Sequence, residues 1–514
     1  MIAMPLIAHE GAIATPHSAA SEAGAAALRA GGTAIDAALA AAATLCVVYP
    51  NNVALGSDLV ALVRSPDGAI RFVNATGWAG ENQTLEKMRH RHGDAMPERG
   101  VDAITLPGAV RGWEALHSMG ARLSWKAALE PAIRWASSGI PTARSVASAL
   151  AREPGVGDDP GFAATFHPGG RPLREGELLV QPRLAETLRR LSDAGAQDFY
   201  EGDLAEKWLT GLARAGSLLR PEDAAAFAPE VLDPLELDFG RYRVRTSPPN
   251  TQGFVLLRAL AHAQRLIDPM GADVGDLVRS IYASNGVRAD MLGDPRFGSP
   301  SGEELMSAGA LGEHQSRRAS GDTVGISAVS ADGFAVSLVQ SVYFGFGSGV
   351  VEQSTGILFQ NRGTSFSLVE GNPSSIAPRK RPPHTLMPVM VTEGDELRWV
   401  SSTMGGQAQP QVHTQLLLRS FAGASPSEAV DAPRWAVGAQ GHGDGARTLT
   451  VESDVPGDIQ EALAAEAGLA VKLVPPRSEA LGHAALIRVN SDGSCDAASD
   501  PRSDGSSIVV SAAS

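Results

Sequence analysis

"SGDTVGISAVSADGFAVSLVQSVYFGFGSG", residues 320–349, holds two strand-like runs, "TVGISAVS" and "FAVSLVQSVY", on either side of Asp332-Gly333. Asp-Gly is a hairpin signal, because a two-residue type I′ turn needs positive φ at both central positions. The spacing predicts a β-hairpin whose first strand opens on Thr323. A hydroxyl at the head of a strand, exposed at the mouth of a sheet, can serve as a nucleophile, although threonine is a favoured strand residue in any case. Downstream, "STMGGQAQPQ" places Gly405-Gly406 after another strand-like run. Such a pair with free N–H groups is one way to build an oxyanion site, and a plain tight turn is the other reading. "GFGSGV" at 345–350 lacks the last glycine and the strand–loop–helix setting of a dinucleotide loop.

Outward from the hairpin, the chain changes character near residue 320. Beyond it, "LMPVMVTE" and "LRWVSST" have strand composition. Before it, "SAASEAGAAALRA" (18–30) is made of helix formers and stops at Gly31-Gly32, and "AALAAAATLCVV" (37–48) reads as a buried alanine-rich helix. That run is shorter than the roughly 20 residues a membrane span needs. "LVALVRSPDGAIRFVNAT" predicts a second hairpin around Pro66-Asp67-Gly68. "SWKAALEPAIRWASSG" and "PRLAETLRRLSDAG" are helical, joined by "REPGVGDDPGFAATFHPGGRP", a predicted loop. No repeat of 20 to 50 residues occurs. A helix-rich first part and a strand-rich second part point to α+β or a layered αββα arrangement.

The 514 residues suffice for two or three domains, and 43% apolar with 19% charged residues describes a soluble globular protein. A net charge of −14 argues against a nucleic-acid partner. Cys46 and Cys495 are too few for a disulfide framework or a cysteine metal site. His90 with His92, and His442 with Asp444, lack metal-ligand spacing and read as solvated loops. No G-x-S-x-G elbow or P-loop is present. "MIAMPLIAHEGAIATPHSAAS" has no basic leader and its apolar part is broken at Pro5, so the expectation is a cytoplasmic protein without a membrane partner.

Several stretches together resemble the γ-glutamyltranspeptidase family of N-terminal nucleophile hydrolases. In family order they are "GGTAIDAALAAAATLCVVYPNNVALGSDL", "LPGAVRGW", "LLVQPRLAETL", "FYEGDLA", "RPEDAAAF", "SPPNTQGFVLL", "FGSGVV", "RKRPPHTLMP", "TMGGQ" and "SDPRSDGSS". The resemblance implies a four-layer αββα sandwich and a precursor that cuts itself between Asp322 and Thr323. Residues 1–322 and 323–514 would remain together as large and small subunits, with Thr323 both nucleophile and, through its new amine, general base. It further implies that Ser341 bonds that amine, that Gly405 and Gly406 hold the oxyanion, and that no metal or organic cofactor is needed. Association of the processed heterodimers into a homo-oligomer is left open.

Other positions depart from the transpeptidase pattern. Thr385 matches one of two serines that hold the substrate carboxylate, and His384 stands in place of the other, where a structural imidazole is the competing reading. Thr76 stands nearest to the family's α-carboxylate arginine, Ser365 replaces its α-amino-binding aspartate, and Tyr343 replaces an asparagine beside the nucleophile. These changes resemble the divergent branch that includes oxamate amidohydrolase. Arg362, whose planar fork suits a carboxylate, is then the candidate for gripping a small amide substrate, against a salt-bridged loop arginine. The competing functions are a γ-glutamyl hydrolase or transferase on glutathione-like substrates, an acylase of β-lactam side chains, and an unprocessed binding protein.

Overall fold

The computed structural model describes residues 10–153, 156–309, 322–441, 443–466 and 468–511. Its centre is a pair of antiparallel sheets. The seven-stranded sheet uses β1 (Glu10–Thr15), β2 (Asp58–Arg64), β3 (Ile70–Ala75), β4 (Glu230–Leu232), β7 (Asp322–Val329), β8 (Ala335–Tyr343) and β13 (Ser506–Ser511), in the order β13-β1-β7-β8-β2-β3-β4. The six-stranded sheet uses β5 (Leu235–Phe239), β6 (Tyr242–Thr246), β9 (Val389–Glu393), β10 (Glu396–Thr403), β11 (Ala484–Val489) and β12 (Cys495–Ser499), in the order β12-β11-β10-β9-β6-β5.

Between the sheets lies an apolar layer that includes Val60, Leu62, Val339, Met390, Val400 and Ile487. Helices cover both outer faces. On the seven-stranded side are α1 (Ser18–Arg29), α2 (Ala34–Val48), α3 (Trp125–Ser138) and α4 (Pro182–Ala194). On the other are α5 (Gly253–Ala263), α6 (Val274–Met291) and α7 (Gln409–Phe421). The four layers are therefore αββα, an α+β fold. Every residue of α2 is buried, which explains its alanines: small side chains let it pack against α1, α3 and the sheet at once. Its start is fixed by a capping box between Thr33 and Asp36.

Two local expectations change. The β7–β8 connection is not a two-residue turn: the ladder closes at Val329 and Ala335, and Ser330 N donates to Phe334 O at 3.0 Å. Only Gly333 takes positive φ there (92°), because the longer loop relieves Asp332 of the left-handed conformation that a type I′ turn imposes. The expected loop 152–172 contains a helix over Pro160–Phe166. Asp159 caps it by accepting from Phe162 N, and Phe162 and Phe166 are buried against Phe346. Among the described residues, no helix is long and apolar enough to cross a membrane.

Candidate active site

Thr323 is the second residue of β7, at the centre of the seven-stranded sheet, and is fully buried. Its hydroxyl donates to Ser341 Oγ at 3.1 Å, and Ser341 Oγ donates to the carbonyl oxygen of Asp322 at 2.6 Å. Tyr343 N donates to the same Ser341 oxygen at 2.8 Å. Ser341 reaches this position because the ladder slips between Gln340 and Tyr343, with Tyr343 at φ 81° pairing with Asp322. Asn52 Nδ2 holds the Thr323 carbonyl at 3.0 Å.

The glycine pair arrives from the other sheet. A Cβ on Gly325 would lie 2.8 Å from Ser402 C and Thr403 N, so only glycine lets β7 cross so close above β10. Just beyond β10, Gly405 and Gly406 take φ values of 144° and 52°. Their carbonyls are occupied: Ala408 N donates to Gly405 O at 2.8 Å, and Gln252 Nε2 to Gly406 O at 2.7 Å. Arg288 Nη1 in turn donates to Gln252 Oε1 at 2.9 Å. A cleft of about 520 Å³ opens here, lined by Gly405 together with Asp322, Asn51, Asn52 and His483.

Arg362 begins a short turn, Arg362–Ser365, and its side chain is buried. The guanidinium carbon sits 3.6 Å from the centroid of the Tyr343 ring, and Nη2 donates to Thr385 Oγ1 at 3.3 Å. Nε and Nη1 have no partner among the described residues. Burial pushes its pKa down to about 10, which leaves it a cation near neutrality. Thr385 O accepts from Gln252 Nε2 at 2.7 Å. One hydrogen-bonded and stacked path therefore runs from Thr323 through Ser341, Tyr343, Arg362, Thr385 and Gln252 to Gly406.

The family model described as gamma-glutamyltranspeptidase matches residues 20–510. The chain belongs to the γ-glutamyltranspeptidase family. Among its relatives, the glutathione hydrolase-like YwrD proenzyme of Bacillus subtilis is 35% identical over 97% of this chain and 98% of its own. The oxamate amidohydrolase proenzyme of Klebsiella pneumoniae subsp. pneumoniae is also 35% identical, over the same shares. The cephalosporin acylase from Bacillus halodurans superposes with a TM-score of 0.89 at 32% identity, covering 98% of this chain and 96% of that one. As a γ-glutamyltranspeptidase-family protein, the chain is an amidohydrolase-type enzyme with the N-terminal nucleophile hydrolase fold.

The remaining sequence candidates stand around this core. Both ring nitrogens of His384 are engaged: its Nε2 lies 3.0 Å from Asp58 Oδ2, and its Nδ1 accepts from Leu386 N at 3.4 Å. Burial, reinforced by Arg362, lowers the imidazole's pKa well below its usual value, so the ring is neutral. Burial raises the Asp58 carboxyl to about 7, against the opposing pull of Gly77 N–H and Arg362. Thr76 donates to Asn74 Oδ1 at 2.7 Å and lies beside Asn250. Ser365 is half-buried at the end of the Arg362 turn.

Asn51, Asn52, Gln252, Arg288 and His483 were not singled out in the sequence. The signal for the asparagines was present, since "YPNNVALG" sets two amides in an apolar run, and buried amides must find partners. The closing "SDPRSDG" of the family also acquires a physical role. Asp500 accepts from Arg434 at 2.5 Å, Arg502 at 3.1 Å and Ala484 N at 3.0 Å, while Arg434 Nη1 donates to Gly482 O at 3.0 Å. Burial would raise the Asp500 carboxyl, but Arg434 and Arg502 outweigh it and hold it below the usual range. The cluster fastens the 482–484 turn against Met404 N, which donates to His483 O at 2.9 Å. Of the histidines set aside as metal ligands, His92 pairs with Asp102 and His442 lies outside the described residues. No group of metal-ligating side chains occurs among the described residues.

Proposed function

We propose that the chain is a self-processing amidohydrolase that cuts its Asp322–Thr323 bond and then hydrolyses a small, carboxylate-bearing, oxamate-like amide through an ester on Thr323. In maturation, Thr323 Oγ bonds the Asp322 carbonyl carbon while the Thr323–Ser341–Asp322 relay passes the hydroxyl proton toward the carbonyl oxygen. The C–N bond then breaks, its nitrogen taking a proton to become the free Thr323 amine, and water hydrolyses the resulting ester to release the Asp322 carboxylate and restore the Thr323 hydroxyl. With an ordinary pKa near 8, that amine can take the proton from its own hydroxyl in each later turnover. The substrate carbonyl oxygen is placed at the N–H groups of Gly405 and Gly406.

The observation that carries the substrate class is Arg362: a buried cation whose Nε and Nη1 lack acceptors among the described residues, on the path that joins Thr323 to Gly406. A buried donor left unmade costs about 1–3 kcal/mol, more for a charged group, so a ligand carboxylate supplies what the fold withholds. A γ-glutamyl head would also need an acid for its ammonium, where this chain has Ser365.

Intact mass of purified wild type and Thr323→Ala, together with ammonia release from oxamate, tests the reading. Two fragments divided before Thr323 and measurable ammonia are expected of the wild type, and one uncut, inactive chain of the variant. Preferred hydrolysis of a γ-glutamyl anilide would move the chain to the γ-glutamyl hydrolases. An uncut wild type would favour a binding protein.

A further inference from the structure

Two further buried polar groups face the same cleft, and neither belongs to the path described above. Asn51 is 3% exposed and His483 is 4% exposed. Asn51 Oδ1 and both ring nitrogens of His483 lack hydrogen-bond partners among the described residues. The orientation of Asn51 is determined by its neighbour. Asn52 must present Nδ2 to the Thr323 carbonyl, so its Oδ1 accepts from Asn51 Nδ2 at 2.7 Å, and Asn51 is left with a bare carbonyl oxygen. His483 is neutral near pH 7, because burial lowers its pKa more than Asp500, Glu479 and Asp504 raise it. A neutral imidazole offers one N–H donor and one bare acceptor. The ordinary explanation of a buried unsatisfied group is a missing partner.

The cleft determines where that partner lies. It contains Gly405 and the Asp322 end of the scissile bond but is not lined by Arg362. A substrate with its carboxylate on Arg362 and its carbonyl oxygen on the glycines therefore has one group left to point into the cleft, the amide nitrogen. We propose that Asn51 and His483 form the subsite for the leaving nitrogen, an inference that rests on the amidohydrolase reading above. An amide nitrogen carries N–H donors and, as the Thr323 Oγ–C bond forms, gains a lone pair. Asn51 Oδ1 and the bare nitrogen of His483 each accept one of those N–H groups, which leaves the lone pair free to take a proton. When the C–N bond breaks, the nitrogen takes the proton that the Thr323 amine removed from its hydroxyl, and ammonia or an amine leaves through the cleft. Both side chains bind; neither has to gain or lose a proton.

An ester of the same acid has a leaving oxygen with no N–H to offer Asn51, and this separates the subsite from a general structural role. Cleaved wild type, Asn51→Ala, His483→Ala and His483→Gln would be assayed on oxamate and its methyl-ester counterpart, and on glutamine and γ-glutamyl methyl ester. The readout is kcat/KM, which follows the acylation step. For each alanine variant the amide-to-ester ratio is expected to fall about threefold to tenfold, the worth of one neutral hydrogen bond. His483→Gln, which keeps a donor and an acceptor, is expected to recover part of the loss. An unchanged ratio in both alanine variants would overturn the subsite, as would equal losses on amide and ester. Activity on the γ-glutamyl pair in place of the oxamyl pair would overturn the substrate reading, while the ratio would still judge the subsite. No turnover of either pair by cleaved wild type would overturn both. Intact mass reports whether each variant has matured; if His483→Ala stays uncut, His483→Gln and Asn51→Ala carry the comparison.

Discussion

Arg502 and Arg362 are both buried guanidiniums, yet one is fully matched and the other is not. Every nitrogen of Arg502 meets an oxygen: Nε bonds Glu452 at 2.8 Å, Nη1 bonds Val430 O and Asp500, and Nη2 bonds Glu452 and Ala432 O. Arg362 has a threonine hydroxyl, an aromatic face and two unmatched donors. A buried cation whose acceptors are all internal is a fastening; the missing acceptors of Arg362 are what supports the proposal that it receives a ligand carboxylate. On that proposal the contrast separates a residue that holds the fold from one that binds a ligand, although both are equally hidden from solvent.

The largest effect should come from breaking the matched site. Arg502→Met strands Glu452 and Asp500 in the interior, and removing one partner of such a network costs about 3–5 kcal/mol. Urea unfolding is expected to show a loss of that size, or no soluble protein; a loss below about 1 kcal/mol would mean that the cluster does not fasten the 482–484 turn. Arg362→Met should behave oppositely. It strands no carboxylate that depends on it alone, so stability should stay within about 1 kcal/mol of wild type. Amide turnover, in contrast, should fall about tenfold to 150-fold in kcat/KM, the worth of a charged hydrogen bond. Unfolding in place of lost turnover would make Arg362 a structural residue and erase the contrast.

The smallest effect is a slope. The Asp58 carboxyl, raised by burial from 3.8 to about 7, keeps its proton in the folded protein at pH values where the unfolded chain has released it. Stability from this group therefore falls as pH rises through that window, by at most ~1.4 kcal/mol per pH unit. His384, held neutral below its usual 6.5, contributes the opposite slope on the acid side. The difference between wild type and Asp58→Asn, and not either curve alone, isolates the carboxylate. Urea midpoints across the range should diverge with pH; parallel curves would show that burial does not raise the Asp58 carboxyl.

What could be read in the sequence followed periodicity and punctuation. The β7 and β8 runs, the Pro66-Asp67-Gly68 hairpin and the alanine-rich α2 all appear in place, because alternation, turn residues and side-chain size act over short distances. The candidates Thr323, Ser341 and Gly405-Gly406 came from the resemblance and the positions of their strands. The orientation of His384 was not legible: its partner Asp58 is 326 residues away in the chain, and only the folded sheet brings them together. The same holds for Gln252, which reaches Gly406 from a helix start far upstream, and for Arg288, which reaches Gln252. Asp332-Gly333 misled for a different reason, since a turn dipeptide specifies a bend but not how many residues the flanking strands leave unpaired.

The interleaving of the sheets has a consequence for what a cut at Asp322–Thr323 does to the molecule. Strands on either side of that bond alternate: β1 lies between β13 and β7, β8 pairs with β2, and β9 pairs with β6. Main-chain ladders thus stitch the two segments together at several seams, and neither segment holds a complete sheet. Before the cut, folding is a first-order event within one chain. After it, the same native state can be regained only when two separate polypeptides meet, so recovery from denaturant becomes second order and depends on concentration. Self-cleavage would leave the architecture where it is while removing most of the route back to it.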